Sequence, residues 1–142
     1  MTHSHIAVSP DLAPPSGYAH AVISPPGGVV VHLGGQTALD RQGRIAGDTL
    51  VAQFDLAADN LVHAMRAAGC EPGDLVSLQV FCTDVGAYRD ALGELGAIWR
   101  ARFGRRYPAM GLFGVTRLFD EEAMVELMGV CVRAPREDEV HP

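Results

Sequence analysis

The chain has 142 residues, of which 48% are hydrophobic and 20% are charged, with a formal net charge of −6. Its 11 basic residues are all arginine, so Schiff-base, pyridoxal-phosphate and P-loop chemistry that needs a lysine is excluded. The acidic balance argues against nucleic acid or an anionic membrane as the main partner, and no apolar run reaches the roughly 20 residues of a membrane span. Without a signal-peptide pattern, and with three scattered cysteines, we expect a reduced, cytoplasmic protein.

Composition divides the chain into one domain with two polar ends. Residues 1–16 are proline-bearing and aperiodic, which favours a flexible or extended arm. Residues 135–142 are charged and lack an apolar face, which favours a solvated tail. Residues 17–134 hold all the periodic segments and no interior linker, so we predict a single domain there.

The domain begins with two predicted strands. Residues 18–24 and 29–33 favour strands, and the Pro-Pro-Gly-Gly run between them is typical of a turn that joins the two. Gly34 and Gly35 follow the second strand. They either end it or let a ligand approach the backbone, and the residues alone leave both interpretations open.

The middle of the domain places one strand between two helices. Asp48 or Thr49 caps the first helix, whose apolar residues recur every three or four positions until Gly69 ends it. Residues 75–83 are almost all apolar or β-branched, as in a strand covered on both faces. Asp84 caps a second helix, which carries one apolar stripe made of Tyr88, Ala91, Leu92, Leu95, Ile98, Trp99 and Phe103.

Two final strands, at residues 109–115 and 123–132, complete the pattern. The order β-β-α-β-α-β-β predicts an α+β fold with two helices on one mixed sheet. Two helices cover only one face of such a sheet, yet both faces of the strands are apolar. We therefore expect the second face to pack on another copy of the chain, which predicts a homo-oligomer.

Glu126 is the strongest candidate for a catalytic residue because it stands alone among the apolar residues of the last strand. Such a carboxylate is either solvated at a strand end, paired with a cation, or desolvated so that it acts as a general acid or base. Arg117, which follows the preceding strand, is interpreted as an ion-pair partner of Glu126 or of the acidic run at residues 120–122.

Other polar residues carry weaker signals. The run of arginines and aromatics at residues 100–107 fits a solvated helix end better than an RNA site in an acidic chain. The histidines lack metal-ligand spacing, so no metal site is predicted. Cys82 and Cys131 are expected to be inert thiols buried in strands.

Taken in order, these segments resemble the RidA/YjgF family of imine deaminases, also called the liver perchloric-acid-soluble proteins. The resemblance covers about residues 8–133. It rests on short motifs in register, which include Gly17-Tyr18-Ala19-His20-Ala21, Leu33-Gly34-Gly35-Gln36, Val80-Phe81-Cys82-Thr83-Asp84, Tyr107-Pro108-Ala109, and Thr116-Arg117-Leu118 leading into Val125-Glu126-Leu127. The resemblance implies a chorismate-mutase-like fold, a homotrimer whose sheets form a central barrel, and small-molecule clefts between subunits that require no cofactor.

The resemblance also implies roles for particular residues. In the family's deaminases a tyrosine lines the pocket, a glutamate of the last strand positions the hydrolytic water, and an arginine directly after Pro-Ala binds the substrate carboxylate. The first two correspond to Tyr18 and Glu126, whereas the arginine is replaced by Met110. A bidentate arginine–carboxylate contact contributes about 1.5–3 kcal/mol, so its loss weakens binding of a 2-imino acid by at least about tenfold. Four further positions belong to the implied pocket, which is more apolar than that of the deaminases: Gly35, Leu92, Gly111 and Leu112.

Three functions follow from the resemblance. The first is an imine or enamine hydrolase of altered specificity, in which Glu126 holds the water and main-chain amides near Gly111 and Leu112 polarise the electrophile. The alternative is a non-catalytic trimer that binds a small molecule or regulates through it. A ribonuclease is the least compatible with the net charge of −6 and the absence of lysine. The residues leave open whether Arg106 or Arg117 substitutes for the missing arginine.

Overall fold

The computed structural model describes residues 3–140, so the ends of the predicted arm and tail, residues 1–2 and 141–142, lie outside the described part. Six strands and four helices follow one another there, together with a 3₁₀ turn at residues 72–74. In chain order they are β1 (His5–Ala7), β2 (Ala21–Ile23), β3 (Val29–His32), α1 (Leu50–Ala67), β4 (Leu75–Cys82), α2 (Val85–Asp90), α3 (Leu92–Phe103), β5 (Ala109–Gly114), β6 (Val125–Arg133) and α4 (Glu137–Val140).

The central sheet has the strand order β3-β6-β4-β5, in which β4 and β5 are parallel and the other neighbours antiparallel. Helices α1 and α3 pack against each other, and α1 packs on β6. Between the helices and the sheet lies the core, in which the largest fully buried apolar side chains are Leu61, Met65, Leu78 and Leu127. Each such side chain contributes about 1.5–3 kcal/mol by leaving water. The predicted α+β fold with helices on one mixed sheet is confirmed.

Residues at its two ends determine where helix α1 begins and ends. Of the two candidate caps, Thr49 is the one used, since its Oγ1 accepts a hydrogen bond of 3.1 Å from the N–H of Ala52. Gly69 follows the helix with a φ of +76°, a left-handed conformation that glycine adopts without strain.

The two strands predicted to form a joined pair belong to different sheets. Strand β2 pairs with β1, while β3 pairs with β6, where Val30 lies opposite Val132. Pro25 and Pro26 stand between the two strands and offer no N–H to a ladder, so hydrogen bonding cannot propagate from the turn into a hairpin. The partner of β3 is instead supplied by the far end of the chain.

The predicted N-terminal arm is held against the domain over much of its length. Besides forming β1, it is fastened by the imidazole of His20, whose Nδ1 accepts a hydrogen bond of 3.1 Å from the N–H of Ser9. The other ring nitrogen, Nε2, then carries the proton and donates to the carbonyl of Ala13 at 2.9 Å. A three-residue strand and one histidine give too short a pattern for sequence periodicity to reveal.

The second predicted helix is broken into α2 and α3 at Ala91, whose φ of −98° and ψ of 8° depart from helical values. The break lets α3 turn Leu95, Trp99 and Phe103 into the core. Leu92 belongs to the predicted apolar stripe, but it lies at the first position after the break and is 56% exposed.

The sheet face opposite the helices carries exposed apolar side chains. Strand alternation places Val30, Phe113 and Met128 on this face, with relative exposures of 54%, 49% and 42%. Phe81 lies beside Phe113 on the same face, with the ring centroids 5.7 Å apart. The apolar second face predicted from the strand pattern is therefore open in a single chain.

Candidate functional site

A cavity of about 430 Å³ opens between the helices α2 and α3 and the edge strand β5. Its walls come from five separate parts of the chain, and most of the side chains in them are apolar or aromatic. Such a cavity suits a small organic molecule held by few polar contacts. The side chains that form its apolar wall are Tyr18, Phe54, Tyr88, Leu92, Leu95, Trp99, Tyr107, Met110 and Leu112.

Stacked aromatic rings fix the part of the cavity wall that joins α3 to β5. Trp99 stacks on Phe103 and on Tyr107, with centroid distances of 4.3 and 5.1 Å. Its indole N–H donates to the carbonyl of Arg106 at 3.2 Å, so the polar edge of the ring is also satisfied. Pro108 then disfavours further helix and leads the chain into β5. These contacts hold this part of the wall in place.

Tyr18 reaches the cavity because the residue after it is fastened to β5. The N–H of Ala19 donates to the carbonyl of Pro108 at 2.9 Å, and Ala19 forms a parallel bridge with Ala109. Gly17, with a φ of +74°, allows the chain to turn immediately before Tyr18. The phenol is partly exposed at the cavity wall.

The alternation of β5 decides which of its residues face the cavity. Met110 lies opposite Leu78 and Leu112 lies opposite Val80, and both partners are fully buried beneath the helices. Met110 and Leu112 therefore point toward the helix side of the sheet, where the cavity opens. Of the residues predicted for the pocket, the structure brings five together in this cavity: Tyr18, Leu92, Met110, Gly111 and Leu112.

Glu126 and Gly35 lie together, but they do not line this cavity. Glu126 is opposite Phe81 in the β6–β4 ladder, on the sheet face away from the helices. A side chain at position 35 would collide with Oε1 of Glu126, so the glycine leaves the space that the carboxylate fills. Among residues 3–140 Glu126 has no ion-pair partner. One chain therefore does not place this carboxylate beside Tyr18 and Met110.

Neither of the arginines considered as substitutes lines the cavity. Arg117 is 3.8 Å from Glu121 at exposed positions, so it pairs with the acidic run rather than with Glu126. Arg106 donates to the carbonyl of Ser4 at 2.9 Å and thereby fastens the N-terminal segment. Arg102, in the same run, is held by Asp55 and Asp59 at 2.7 and 2.8 Å. These contacts explain part of the arginine-rich run as structural.

Two other arginines, which the sequence reasoning missed, do line the cavity. Arg89 belongs to α2 and Arg100 to α3. Arg89, Leu92, Gly96 and Arg100 recur in the sequence at spacings of three and four. This pattern is typical of one helical face and could have revealed both arginines, although the structure divides the segment into two helices. The apolar residues of the same segment show a stronger periodic pattern, which indicates a buried face instead.

Burial raises the pKa of one phenol at the cavity and of two thiols in the strands, so that these groups stay protonated at neutral pH. Desolvation raises the pKa of Tyr88 to about 12, so its phenol stays protonated at neutral pH. Desolvation likewise raises the pKa of Cys82 and of Cys131, which supports the prediction that these thiols are inert. Neither thiol lines the cavity, and neither is a candidate nucleophile.

Residues 3–140 contain no group of three or more histidine, cysteine or acidic side chains that could hold a metal ion. In the same part of the chain, no helix combines the length and the apolarity that a membrane crossing requires.

The fold and the cavity define a small α+β protein with a largely apolar cavity at the edge of a mixed sheet. The family model described as endoribonuclease L-PSP matches residues 9–132, and the chain belongs to this family, which also includes the Rid/YjgF proteins. No curated protein sequence matches the chain significantly.

Several solved structures share the fold over nearly their whole length. A Rid-family protein of unknown function from Yersinia pestis is 26% identical, with a TM-score of 0.79 and coverage of 92% of this chain and 98% of that one. A probable translation initiation inhibitor from Rhodopseudomonas palustris is 26% identical, with a TM-score of 0.67 and coverage of 94% and 99%. A putative endoribonuclease L-PSP from Entamoeba histolytica is 28% identical, with a TM-score of 0.63 and coverage of 90% and 98%.

Proposed function

We propose that the protein is a homotrimer that hydrolyses an imine or enamine in a cleft between subunits, on a substrate other than a simple 2-imino acid. The observation that carries this proposal is the convergence of Tyr18, Leu92, Met110, Gly111 and Leu112 on one cavity. These positions come from segments as distant in sequence as residues 18 and 112, so their meeting is a property of the fold rather than of local sequence.

Self-association supplies what one chain lacks. The open sheet face carries the exposed side chains of Val30, Phe113 and Met128, and burial of such a face against another copy is favourable. Glu126 lies on this same face, so assembly through it brings the carboxylate to a subunit boundary. A cavity of one subunit and Glu126 of a neighbour then form a complete cleft.

The chemistry follows from these groups. Glu126 accepts a hydrogen bond from water and takes its proton as the water oxygen bonds to the imine carbon. Glu126 passes that proton to the nitrogen, which gives a carbinolamine. The carbinolamine hydroxyl then yields its proton to the nitrogen as the C–N bond breaks, and a carbonyl product and ammonia leave. Strand β5 is an edge strand, so main-chain N–H groups near Gly111 and Leu112 are available to polarise the electrophile.

The replacement of arginine by Met110 sets the substrate class. Met110 lies on the cavity wall and offers no charge to a carboxylate attached directly to the reacting carbon. An apolar substrate, or one that carries its charge elsewhere, fits this wall better than a 2-imino acid.

We also propose that the protein works in a reducing, cytoplasmic compartment, because all three cysteines are buried free thiols.

Ammonia release from a panel of enzymatically generated imines tests the proposal. We expect the purified wild type to accelerate release from apolar imines and Glu126→Gln to lose at least about 90% of that rate, as for removal of a general base. Glu121→Gln, which removes an exposed carboxylate that pairs with Arg117, is the matched control. Equal rates for wild type and Glu126→Gln would refute the catalytic role, and a monomer by light scattering would refute the shared cleft.

The alternative is a trimer that binds a small molecule without transforming it. It is favoured by the apolar side chains of Leu92, Met110 and Leu112 around the cavity, and by the separation of Glu126 from that cavity in one chain. An apolar ligand that binds wild type and Glu126→Ala with equal affinity, without ammonia release, would establish this function instead. A ribonuclease remains the least supported, because Arg102 and Arg106 are occupied by structural contacts and the net charge is −6.

A further inference from the structure

We infer that Arg89 and Arg100 form an oxyanion-binding wall, so that the cavity selects ligands whose carboxylate or phosphate is separated from the reacting carbon by an apolar body. This inference deepens the proposed function by naming its substrate class, and it rests on that function only for the reaction. The binding it describes is measured without turnover.

Arg89 and Arg100 both line the helical wall of the cavity. Arg89 lies on α2 and Arg100 on α3, on either side of the break at Ala91, and both line the cavity together with Leu92 and Gly96. Arg100 Nη1 lies 3.4 Å from the position that a Cβ on Gly96 would occupy. The Arg100 guanidinium therefore lies over the helix surface beside Gly96, at the cavity wall.

These two cations are not used by the fold. Arg102 is held by two aspartates and Arg133 by Glu139, whereas neither Arg89 nor Arg100 has an ion-pair partner among the described residues. The acidic neighbours on the same helices, Asp90 and Glu94, are not among the residues that line the cavity.

The rest of the wall does not compete with a bound anion. The high pKa of Tyr88 keeps its phenol neutral, so the aromatic wall adds no negative charge. Guanidinium groups bind carboxylate and phosphate oxygens through paired N–H donors, and both arginines have such donors uncommitted.

The wall formed by β5 offers no cation that could bind an anion. The side chains of Met110 and Leu112 on β5 offer only apolar contact. A ligand that fills the cavity therefore puts its apolar body against β5 and its anion against the helices. An arylalkyl acid satisfies both walls, whereas a short 2-oxo acid such as pyruvate has no apolar body to span between them.

Isothermal titration of the full chain at low salt tests this arrangement. The probes are 3-phenylpropionate, 2-phenylethyl phosphate and the neutral isostere 3-phenylpropionamide. We expect at least one oxyanion to bind about tenfold more tightly than the amide. In the double variant Arg89→Gln/Arg100→Gln this preference disappears while the affinity for the amide is unchanged, and Arg105→Gln, which does not line the cavity, behaves as wild type. The two oxyanion titrations tell a carboxylate ligand from a phosphate ester.

Three results would overturn the inference: equal affinity for the amide and both oxyanions, an oxyanion preference that survives in the double variant, or no binding of any probe at millimolar concentration. Thermal midpoints of the variants show that the fold is intact, and each single Arg→Gln variant provides a second measurement if the double variant unfolds. Arginine-dependent binding without hydrolysis overturns the proposed reaction alone. Glu126-dependent ammonia release with arginine-independent binding overturns the oxyanion wall alone.

Discussion

The carboxylate of Glu126 occupies the space that a side chain at position 35 would need. Gly35 follows β3 and Glu126 lies in β6, so the contact joins two segments about 90 residues apart in the chain. The absence of a side chain at position 35 therefore leaves room for the candidate catalytic carboxylate.

Gly35→Ala is expected to displace the Glu126 carboxylate and lower the proposed hydrolysis at least about tenfold, as expected for a misplaced catalytic group. The matched control is Gly34→Ala, since a Cβ at that neighbouring position meets nothing within 4 Å. Initial rates of ammonia release measure the effect, and the thermal midpoint shows whether the fold is retained. Equal rates for the two variants would mean that the position of the carboxylate is irrelevant to the function.

Met110→Arg is expected to create affinity for 2-oxo acids, because it restores a cation on the β5 wall of the cavity. A charge-assisted contact of about 1.5–3 kcal/mol corresponds to tenfold tighter binding or more. Calorimetric titration with pyruvate measures the gain, and Met110→Leu, which changes shape without charge, should show none. If 2-oxo acids stabilise the wild type as well as they stabilise Met110→Arg, the account of the missing arginine is wrong.

Gln53→Ala is expected to destabilise the protein by about 2–4 kcal/mol, because the side chain is buried and bonds three main-chain groups. Its Nε2 donates to the carbonyls of Gly47 and Glu122 at 3.1 and 2.9 Å, and its Oε1 accepts from the N–H of Met124 at 2.8 Å. Denaturant unfolding measures the loss. The exposed Gln42→Ala is the control and should change stability by less than about 0.5 kcal/mol; a similar loss in both variants would contradict this role.

Glu139 is expected to make the docking of the C-terminal helix sensitive to acid. Hydrogen bonds from Arg133 at 2.7 and 2.8 Å, and from the N–H of Arg136 at 2.9 Å, lower the pKa of Glu139 from 4.5 to about 2. Since the folded pKa lies below the unfolded one, the stabilisation is fully present above about pH 4.5 and is lost as the pH falls toward 2.

The difference in thermal midpoint between wild type and Glu139→Gln measures this effect. We expect the wild type to be more stable at pH 7 and the gap to close between pH 4.5 and 2. Glu137→Gln, on the same short helix, is the control and should follow the wild type throughout. A gap that stays constant down to pH 2 would show that the Arg133–Glu139 pair does not contribute.

The sequence alone predicted the helices and strands whose ends depend on residues nearby in the chain. The cap at Thr49, the stop at Gly69 and the apolar repeat between them predicted α1, because capping and helical periodicity act within a few residues. The alternation of the late strands predicted the two apolar faces of the sheet for the same reason. The family resemblance also showed that Met110 stands where the deaminases have an arginine, and recognising this replacement requires only the identity of the residue.

Only the tertiary structure decided which strands pair and which side chains meet. Strand β3 pairs with β6 rather than with β2, since long-range pairing depends on register and burial over the whole chain. The break at Ala91 leaves Leu92 exposed at the cavity wall, apart from the buried side chains of α3. It also left Arg89 and Arg100, on separate helices, beside one space.

All the basic side chains of this protein are arginines, and the fold assigns different contacts to them. The sequence by itself determined that any carboxylate-binding cation had to be an arginine and that the position after Pro108-Ala109 does not provide one. The fold decided that Arg102, Arg106, Arg117 and Arg133 are engaged in structural contacts while Arg89 and Arg100 face the cavity. The physical reason is that the sequence gives the identity of each charged residue, whereas its partner depends on which groups lie close to it in the folded chain.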